Sequence, residues 1–355
     1  MVMDSPKPAM PASALPRPMP PEMVEMFDRI IEAAGGDAAS SNASLVREIM
    51  HTAVKLVQDG ADTGELKLIA RSVKELRYAL KVFRAYRNVP KISIFGSART
   101  PESHPDFQAA SAFSKAISAA GWMVITGAGG GIMHAGHGGA GRQASFGVAI
   151  RLPFETTANE IIQGDPKLIT FRYFFARKLM FVSQSHAVAL FPGGFGTLDE
   201  CYEVLTLVQT GKSSLVPIVM IDPPGGRYWE QWQQYTQDHL LANKLISPSD
   251  RSLYHITTDI DDAVQHVLRF YRRYHSQRYV RDDLVLRLLS PLSDAQLDTL
   301  NGEFADIVAA GRITQGGPLD HEQGEWPDLP RLRFTFARRE WGRLRQLVDR
   351  VNGWD

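Results

Sequence analysis

The sequence predicts an α/β protein built around a doubly wound parallel sheet, and three observations lead there. Short β-branched or apolar runs alternate with helical patterns through the middle of the chain. The connections between them are short, which favours right-handed crossovers with helices on both faces of one sheet. Small-residue turns, Gly96-Ser97-Ala98-Arg99, Gly127-Ala128-Gly129-Gly130-Gly131 and Pro192-Gly193-Gly194-Phe195-Gly196, fall where strand patterns give way to helical ones. In such a sheet those carboxyl ends are where a ligand binds.

Residues 1–21 hold seven prolines and no apolar period, so 1–20 is predicted to be a disordered tail. Region 21–89 reads as helical, with Met23, Met26, Phe27, Ile30 and Ile31 on one face, then stretches at 45–57 and 66–86. The alternating region, 90–275, opens with the strand Lys91-Ile92-Ser93-Ile94-Phe95 and a helix at 107–120. A strand at 122–126 leads through the glycine loop into a helix at 132–143, and a third strand follows at 146–152. A fourth strand at 168–171 precedes a helix at 173–184. The run Ala187-Val188-Ala189-Leu190-Phe191 is the fifth strand, Thr197 opens a helix to about Gly211, and a sixth strand spans 216–221. Helices at 228–241 and 261–274 close the run. Beyond it, 276–355 reads as a small α+β appendage with strands at 284–289, around Ile313 and at 332–336, and helices at 293–310 and 339–351.

Composition narrows the function. The chain has 355 residues, 44 % hydrophobic, enough for a substantial core, and its 39 basic and 39 acidic residues cancel. Whole-chain charge gives no support for a nucleic-acid or membrane-surface partner. No run reaches the length of a membrane span and the N-terminus lacks the apolar core of a secretory signal, which predicts a cytoplasmic protein. The single Cys201 excludes an intramolecular disulfide and any multi-cysteine zinc site, and reads as a small buried side chain. His134 and His137 stand three apart, a spacing that suits one metal, but no third ligand is evident. No metal is expected.

The turn between the fifth strand and its helix dominates the reading. Glycine there lets a ligand approach backbone amides, and a helix N-terminus adds unpaired N–H donors and positive dipole charge suited to a phosphate. Glu200 is placed within the first turn of that helix, beside whatever the turn binds. The same spacing also fits a plain tight turn followed by an acid that complements the dipole, and spacing alone leaves both open. Dinucleotide and P-loop readings fail. After the first strand only Gly96 is present; counting from Gly127 the third glycine position is Ile132, and from Gly194 it is Asp199. Gly211-Lys212-Ser213 has Thr206 where a P-loop needs its first glycine.

Pro192-Gly193-Gly194-Phe195-Gly196-Thr197-Leu198-Asp199-Glu200 resembles the P-G-G-x-G-T-x-x-E motif of the LOG (Lonely Guy) family, whose members are often mislabelled as lysine decarboxylases. Arg177-Lys178 matches the family's upstream R-K pair, and Gly127 to Met133 is similar to its G-G-G-x-G-x-M loop. The resemblance covers roughly 90–275. It departs at Ala128, in place of the middle glycine, at His134, where an acid often follows the Met, and at Phe181, in place of a second Met.

The resemblance implies a Rossmann-like phosphoribohydrolase of the longer bacterial type. Such an enzyme splits a nucleoside 5′-monophosphate, AMP first among them, into free base and ribose 5-phosphate without metal or cofactor. It implies Glu200 as stabiliser of the ribosyl cation and activator of water, and Arg177 as partner of the departing base or of the ribose and phosphate. Gly193, Gly194, Gly196 and Thr197 would hold the 5′-phosphate, with Gly96, Ser97, Gly129, Gly131 and Lys178 lining the same crevice. It also implies a homodimer or higher homo-oligomer whose site lies near a subunit contact. A cytokinin riboside 5′-monophosphate as the physiological substrate, and a non-catalytic nucleotide or cofactor carrier on the same fold, stay open.

Overall fold

The computed structural model describes residues 19–152, 158–322 and 324–354. The tail expected at 1–20 therefore lies almost wholly outside the described residues. The chain divides into two compact units, Met1–Val73 and Lys74–Asp355. In the first, α1 (Pro21–Ala33) and α2 (Ala43–Gln58) are joined through Arg47, whose Nε donates to Asp28 at 2.5 Å and whose Nη2 donates to the Ala38 carbonyl at 2.6 Å. Pro21 at the first position of α1 suits a helix start, where its missing N–H would have had no partner. Both helices leave large apolar side chains outside, including Met26, Ile49 and Val57 at 52 %, 60 % and 72 % exposure.

The second unit takes the last part of α3 (Thr63–Arg84) and both sheets. Its larger sheet has seven strands, all parallel, in the order β4-β3-β2-β1-β5-β6-β7. These are β1 (Lys91–Phe95), β2 (Met123–Thr126), β3 (Ser145–Ile150), β4 (Leu168–Phe171), β5 (Ala187–Leu190), β6 (Ile218–Ile221) and β7 (His255–Thr257). The chain winds from β1 out to β4, then returns to lay β5 against the other side of β1. The point of reversal is the β1–β5 pair, where Ile92 to Phe95 register with Ala187 to Leu190.

Side chains alternate across this sheet as a pleat requires. Ile92, Ile94, Ala187 and Ala189 point into one buried layer with Phe113 and Ile117 of α4 (Pro105–Ala119) and Val264 and Val267 of α9 (Ile260–Phe270). Phe95, Val188 and Leu190 face the opposite layer with Met180 and Phe181 of α6 (Phe174–Gln184) and Val204 and Val208 of α7 (Phe195–Gln209). That second layer continues without a break into the C-terminal region, through Leu286, Leu300, Phe334 and Leu344. The appendage thus shares the core of the larger sheet.

Its own sheet is antiparallel, order β10-β11-β9-β8, from β8 (Tyr274–Val280), β9 (Asp283–Leu288), β10 (Val308–Gly316) and β11 (Arg331–Phe336). Beneath it Glu322, fully buried, accepts from Arg287 and Arg331, and their charge and hydrogen bonds overcome burial to hold its carboxyl down at about 2. A buried carboxylate of this kind needs its partners, since one left unpaired would be strongly destabilising.

Several boundaries differ from the sequence expectation. The helix expected at 228–241 is α8 (Tyr228–Tyr235), followed by a π-helical turn at Thr236–Leu241. The one expected at 261–274 stops at Phe270 so that the chain can enter β8, and the one expected at 293–310 is α10 (Asp294–Glu303), because Val308 to Ala310 pair with β11. The last helix, α11, spans Trp341–Asn352. β7 and β8 were not anticipated.

Candidate functional site

Above the β1–β5 reversal an open crevice of about 1330 Å³ runs across the carboxyl ends of the strands. Three loops are tied together at its floor. The Ser97 amide donates to Pro192 O at 3.1 Å, and the Ile132 amide donates to Ser97 O at 3.0 Å. The glycine turn after β5 is held from beneath by Tyr228, whose hydroxyl donates to Gly193 O at 2.7 Å. At Gly193 a Cβ would collide with the Thr197 side chain and the Ser97 amide. Glycine is required there by close approach.

α7 begins at Phe195, with Gly194 as its extended cap and no side-chain capping bond. Thr197 N–H and Leu198 N–H both turn back to Gly194 O, at 3.0 and 3.1 Å, while Gly194, Phe195 and Gly196 stay exposed to the crevice. The turn therefore presents helix N-terminal amides with no side chain in the way, the arrangement that binds oxyanions. Because the helix starts two residues earlier than expected, Glu200 is its sixth residue and lies in the second turn.

Glu200 is 7 % exposed and its Oε2 has no hydrogen-bond partner among the described residues. Burial pushes its carboxyl up to about 7, against the opposing pull of Lys178 and Arg177. Arg177, on α6, also lines the crevice. Its Nε donates to Val148 O of β3 at 2.9 Å, and its guanidinium lies 5.2 Å from the Phe181 ring centre and 6.0 Å from that of Phe174. A carboxyl poised near neutrality, facing the same cavity as an oriented guanidinium, can exchange a proton and stabilise charge of either sign.

Gly96, Ser97, Gly129, Gly193, Gly194, Gly196 and Thr197 all line the crevice. Two expected residues do not. Lys178 is one position along the helix from Arg177, about 100° around its axis, and so faces α7 instead of the cavity. There it pairs with Asp199 at 2.9 Å and Glu203 at 3.0 Å; burial opposes its charge, but those bonds and the Glu200 charge outweigh it and raise its pKa. Gly131, at φ +59°, stands behind the wall with its α-carbon against Ser97 and Ala98, where a Cβ has no room.

Other lining groups were not singled out from the sequence: Glu75, Arg99, Arg151 and Arg172, besides Tyr228 under the turn. They come from separate segments of the chain, and only the assembly of the fold brings them together. His134 and His137 do not converge. His137 is buried against Thr126, Phe146 O and Asn159, whereas His134 meets Glu102 and Glu160 at the surface. Among the described residues no group of three or more His, Cys, Asp or Glu side chains is arranged to hold a metal ion. Cys201 faces the core, where burial pushes its thiol up to about 12, too high for a nucleophile at neutral pH. Among the described residues no helix is long and apolar enough to cross a membrane.

Residues 130–267 match the family model described as possible lysine decarboxylase. No curated protein matches the chain. Similar solved structures include the molybdenum cofactor carrier protein of Chlamydomonas reinhardtii, 21 % identical over 51 % of this chain and 97 % of that one, at a TM-score of 0.36. TM1055 is 17 % identical over 51 % and 99 % of the two chains, at 0.37. The molybdenum cofactor binding protein of Rippkaea orientalis is 19 % identical over 50 % and 94 %, at 0.34.

Proposed function

We propose, from a chain whose residues 130–267 carry a LOG-family domain, that the crevice hydrolyses the N-glycosidic bond of a nucleoside 5′-monophosphate, with AMP as the first substrate to test. The fold suits a nucleotide hydrolase or a nucleotide or cofactor carrier; the observation that favours hydrolysis is Glu200. A carrier has no use for a buried carboxyl held near pH 7 with an unpartnered oxygen, beside an arginine on the same cavity.

In this reading the 5′-phosphate sits on the amides of the Gly193–Gly196 turn, and the ribose lies over Glu200 and Arg177. The bond from C1′ to the base nitrogen breaks with its electron pair leaving on the base. The Glu200 carboxylate stabilises the ribosyl cation and takes a proton from the water whose oxygen bonds to C1′. Arg177, fixed by the Val148 carbonyl, stabilises negative charge on the leaving base. The proton ends on the base, and the products are free base and ribose 5-phosphate.

The test is incubation with a panel of nucleoside monophosphates, scoring base and ribose 5-phosphate. Release that disappears in Glu200→Gln, with nucleotide affinity kept within about tenfold, supports the reading. Binding without release across the panel would make the protein a carrier.

A homo-oligomer belongs to the same proposal. Phe174, Phe175 and Leu179 on α6 are 54 %, 54 % and 50 % exposed, and Phe195 in the glycine turn is 94 % exposed. The Lys178 ion pairs join those two helices, so the apolar side chains lie beside the mouth of the crevice, where a second copy would cover them. Light scattering at micromolar concentration should report at least a dimer, and a monomer would refute this.

A further inference from the structure

The crevice extends well beyond the groups just assigned. The glycine turn lies at β1 and β5, and Arg177 is anchored to β3. The wall farthest from the turn is formed by Thr170 and Arg172 at the end of β4, with Arg151 beyond β3. From β1 to β4 is three strand spacings, about 14 Å at about 4.8 Å each. If phosphate occupies one end and C1′ the middle, the base falls at the β4 end.

That end contains one acid that no step above uses. Glu75, on α3, reaches the crevice from outside the segment that matches the family model. Its Oε1 accepts from the Arg172 amide at 3.1 Å, which fixes the carboxylate against the end of β4. Its Oε2 is covered yet has no hydrogen-bond partner among the described residues. A buried acceptor left without a partner is costly, so a donor that reaches it binds with an advantage. Glu75 lines the crevice, so this unpartnered oxygen lies at the edge of the space a ligand would fill.

We infer that Glu75 is the specificity-determining residue of the base subsite: its carboxylate accepts a hydrogen bond from an exocyclic amino group, so that the crevice prefers amino-bearing bases. This rests on the nucleotide reading above and adds to it the class of base. A carboxylate only accepts, so it attracts an amino group and repels the lone pair of a ring nitrogen or carbonyl at the same place. The last part of α3 thereby supplies recognition to a site whose chemistry is held by the sheet.

Two substrate pairs isolate the effect, each differing by one amino group: AMP against purine riboside 5′-monophosphate, and GMP against inosine 5′-monophosphate. Dissociation constants are measured on full-length Glu200→Gln, where turnover does not interfere, and kcat/KM for base release on the otherwise unaltered chain. One hydrogen bond to a charged acceptor predicts a preference of about 10- to 100-fold for the amino-bearing member of at least one pair. Glu75→Ala should bring that preference to within about threefold while leaving the weaker member of the pair nearly unchanged. Should the alanine variant fail to fold, Glu75→Gln retains an acceptor for the Arg172 amide without the charge, and should still lower the preference several-fold. Ratios near one in the parent, ratios unchanged in both variants, or an equal loss for all four nucleotides would each overturn the assignment. If no nucleotide releases base but the binding ratios behave as stated, Glu75 reads the base and the hydrolase proposal alone has failed.

Discussion

Replacing Glu200 by glutamine tests, apart from any activity, whether the site stores destabilisation. In the folded chain the carboxyl titrates at about 7, against an ordinary value of 4.5. Between those two pH values the unfolded chain has released the proton and the folded chain still holds it. Stability therefore falls as pH rises through this window and levels off above about pH 7. At 1.36 kcal/mol per pH unit, the full shift is worth about 3 kcal/mol, and the part lost between pH 5 and pH 8 is about 2–3 kcal/mol. Glutamine occupies the same space and does not ionise. Its melting temperature relative to the parent should rise by roughly 5–10 °C between pH 5 and pH 8, at about 2–4 °C per kcal/mol for a large domain. Scanning calorimetry or dye-based melting of both proteins across that range measures it directly. A difference that stays constant with pH would mean that Glu200 titrates as an ordinary surface acid, and its proposed role near neutrality would go with it.

The remaining expectations concern the reaction. kcat/KM for AMP should climb with pH through about 7 as Glu200 ionises, and a profile flat from pH 5.5 to 8 would exclude its carboxylate as the working form. Arg177→Ala should cost roughly 10²-fold or more in kcat, and near-normal turnover would remove Arg177 from the chemistry. Gly193→Ala forces a Cβ onto Thr197 and Ser97; it should collapse the preference for AMP over adenosine, expected in the parent at roughly 10³-fold from two or three charge-assisted hydrogen bonds, and an intact preference would move the phosphate elsewhere. Tyr228→Phe, which removes only the hydroxyl under Gly193, should raise KM for AMP several-fold with little change in kcat, and equal losses in both would indicate a different role.

Six strands of the parallel sheet, β1 to β6, were legible because buried parallel strands read as apolar or β-branched runs, as at Ala187–Leu190 and Ile218–Ile221, whereas the three-residue, half-buried β7 was too short to show. The glycine turn was legible because its residue types have so few other uses. β8 was not, since its sequence Tyr-His-Ser-Gln-Arg-Tyr-Val is mostly half-buried and polar and has no clear period of two. Val308 to Ala310 read as helix because small apolar residues suit either state, and only pairing with β11 decides. At the site, adjacency in sequence misled at Lys178: neighbours on a helix point in different directions, so the motif's second cation pairs with Asp199 and Glu203 of α7 while the first lines the crevice. Glu75, Arg151 and Arg172 give no local signal, and their convergence is a property of the assembled sheet and the helix packed on it.

The position of β1 also bears on how the chain must be made. β1 is completed at Phe95, and β2, β3 and β4 can assemble along one of its edges as they are synthesised. The other edge has no partner until β5, whose first residue is Ala187. For that interval a nascent chain carries a bare, apolar central strand, the kind of surface that recruits other unfinished chains. The Ser97–Pro192 contact that joins the two halves of the floor cannot exist before the same moment. An unfinished chain thus has both an unpaired central edge and an unjoined crevice floor, and both conditions end with the arrival of a single strand.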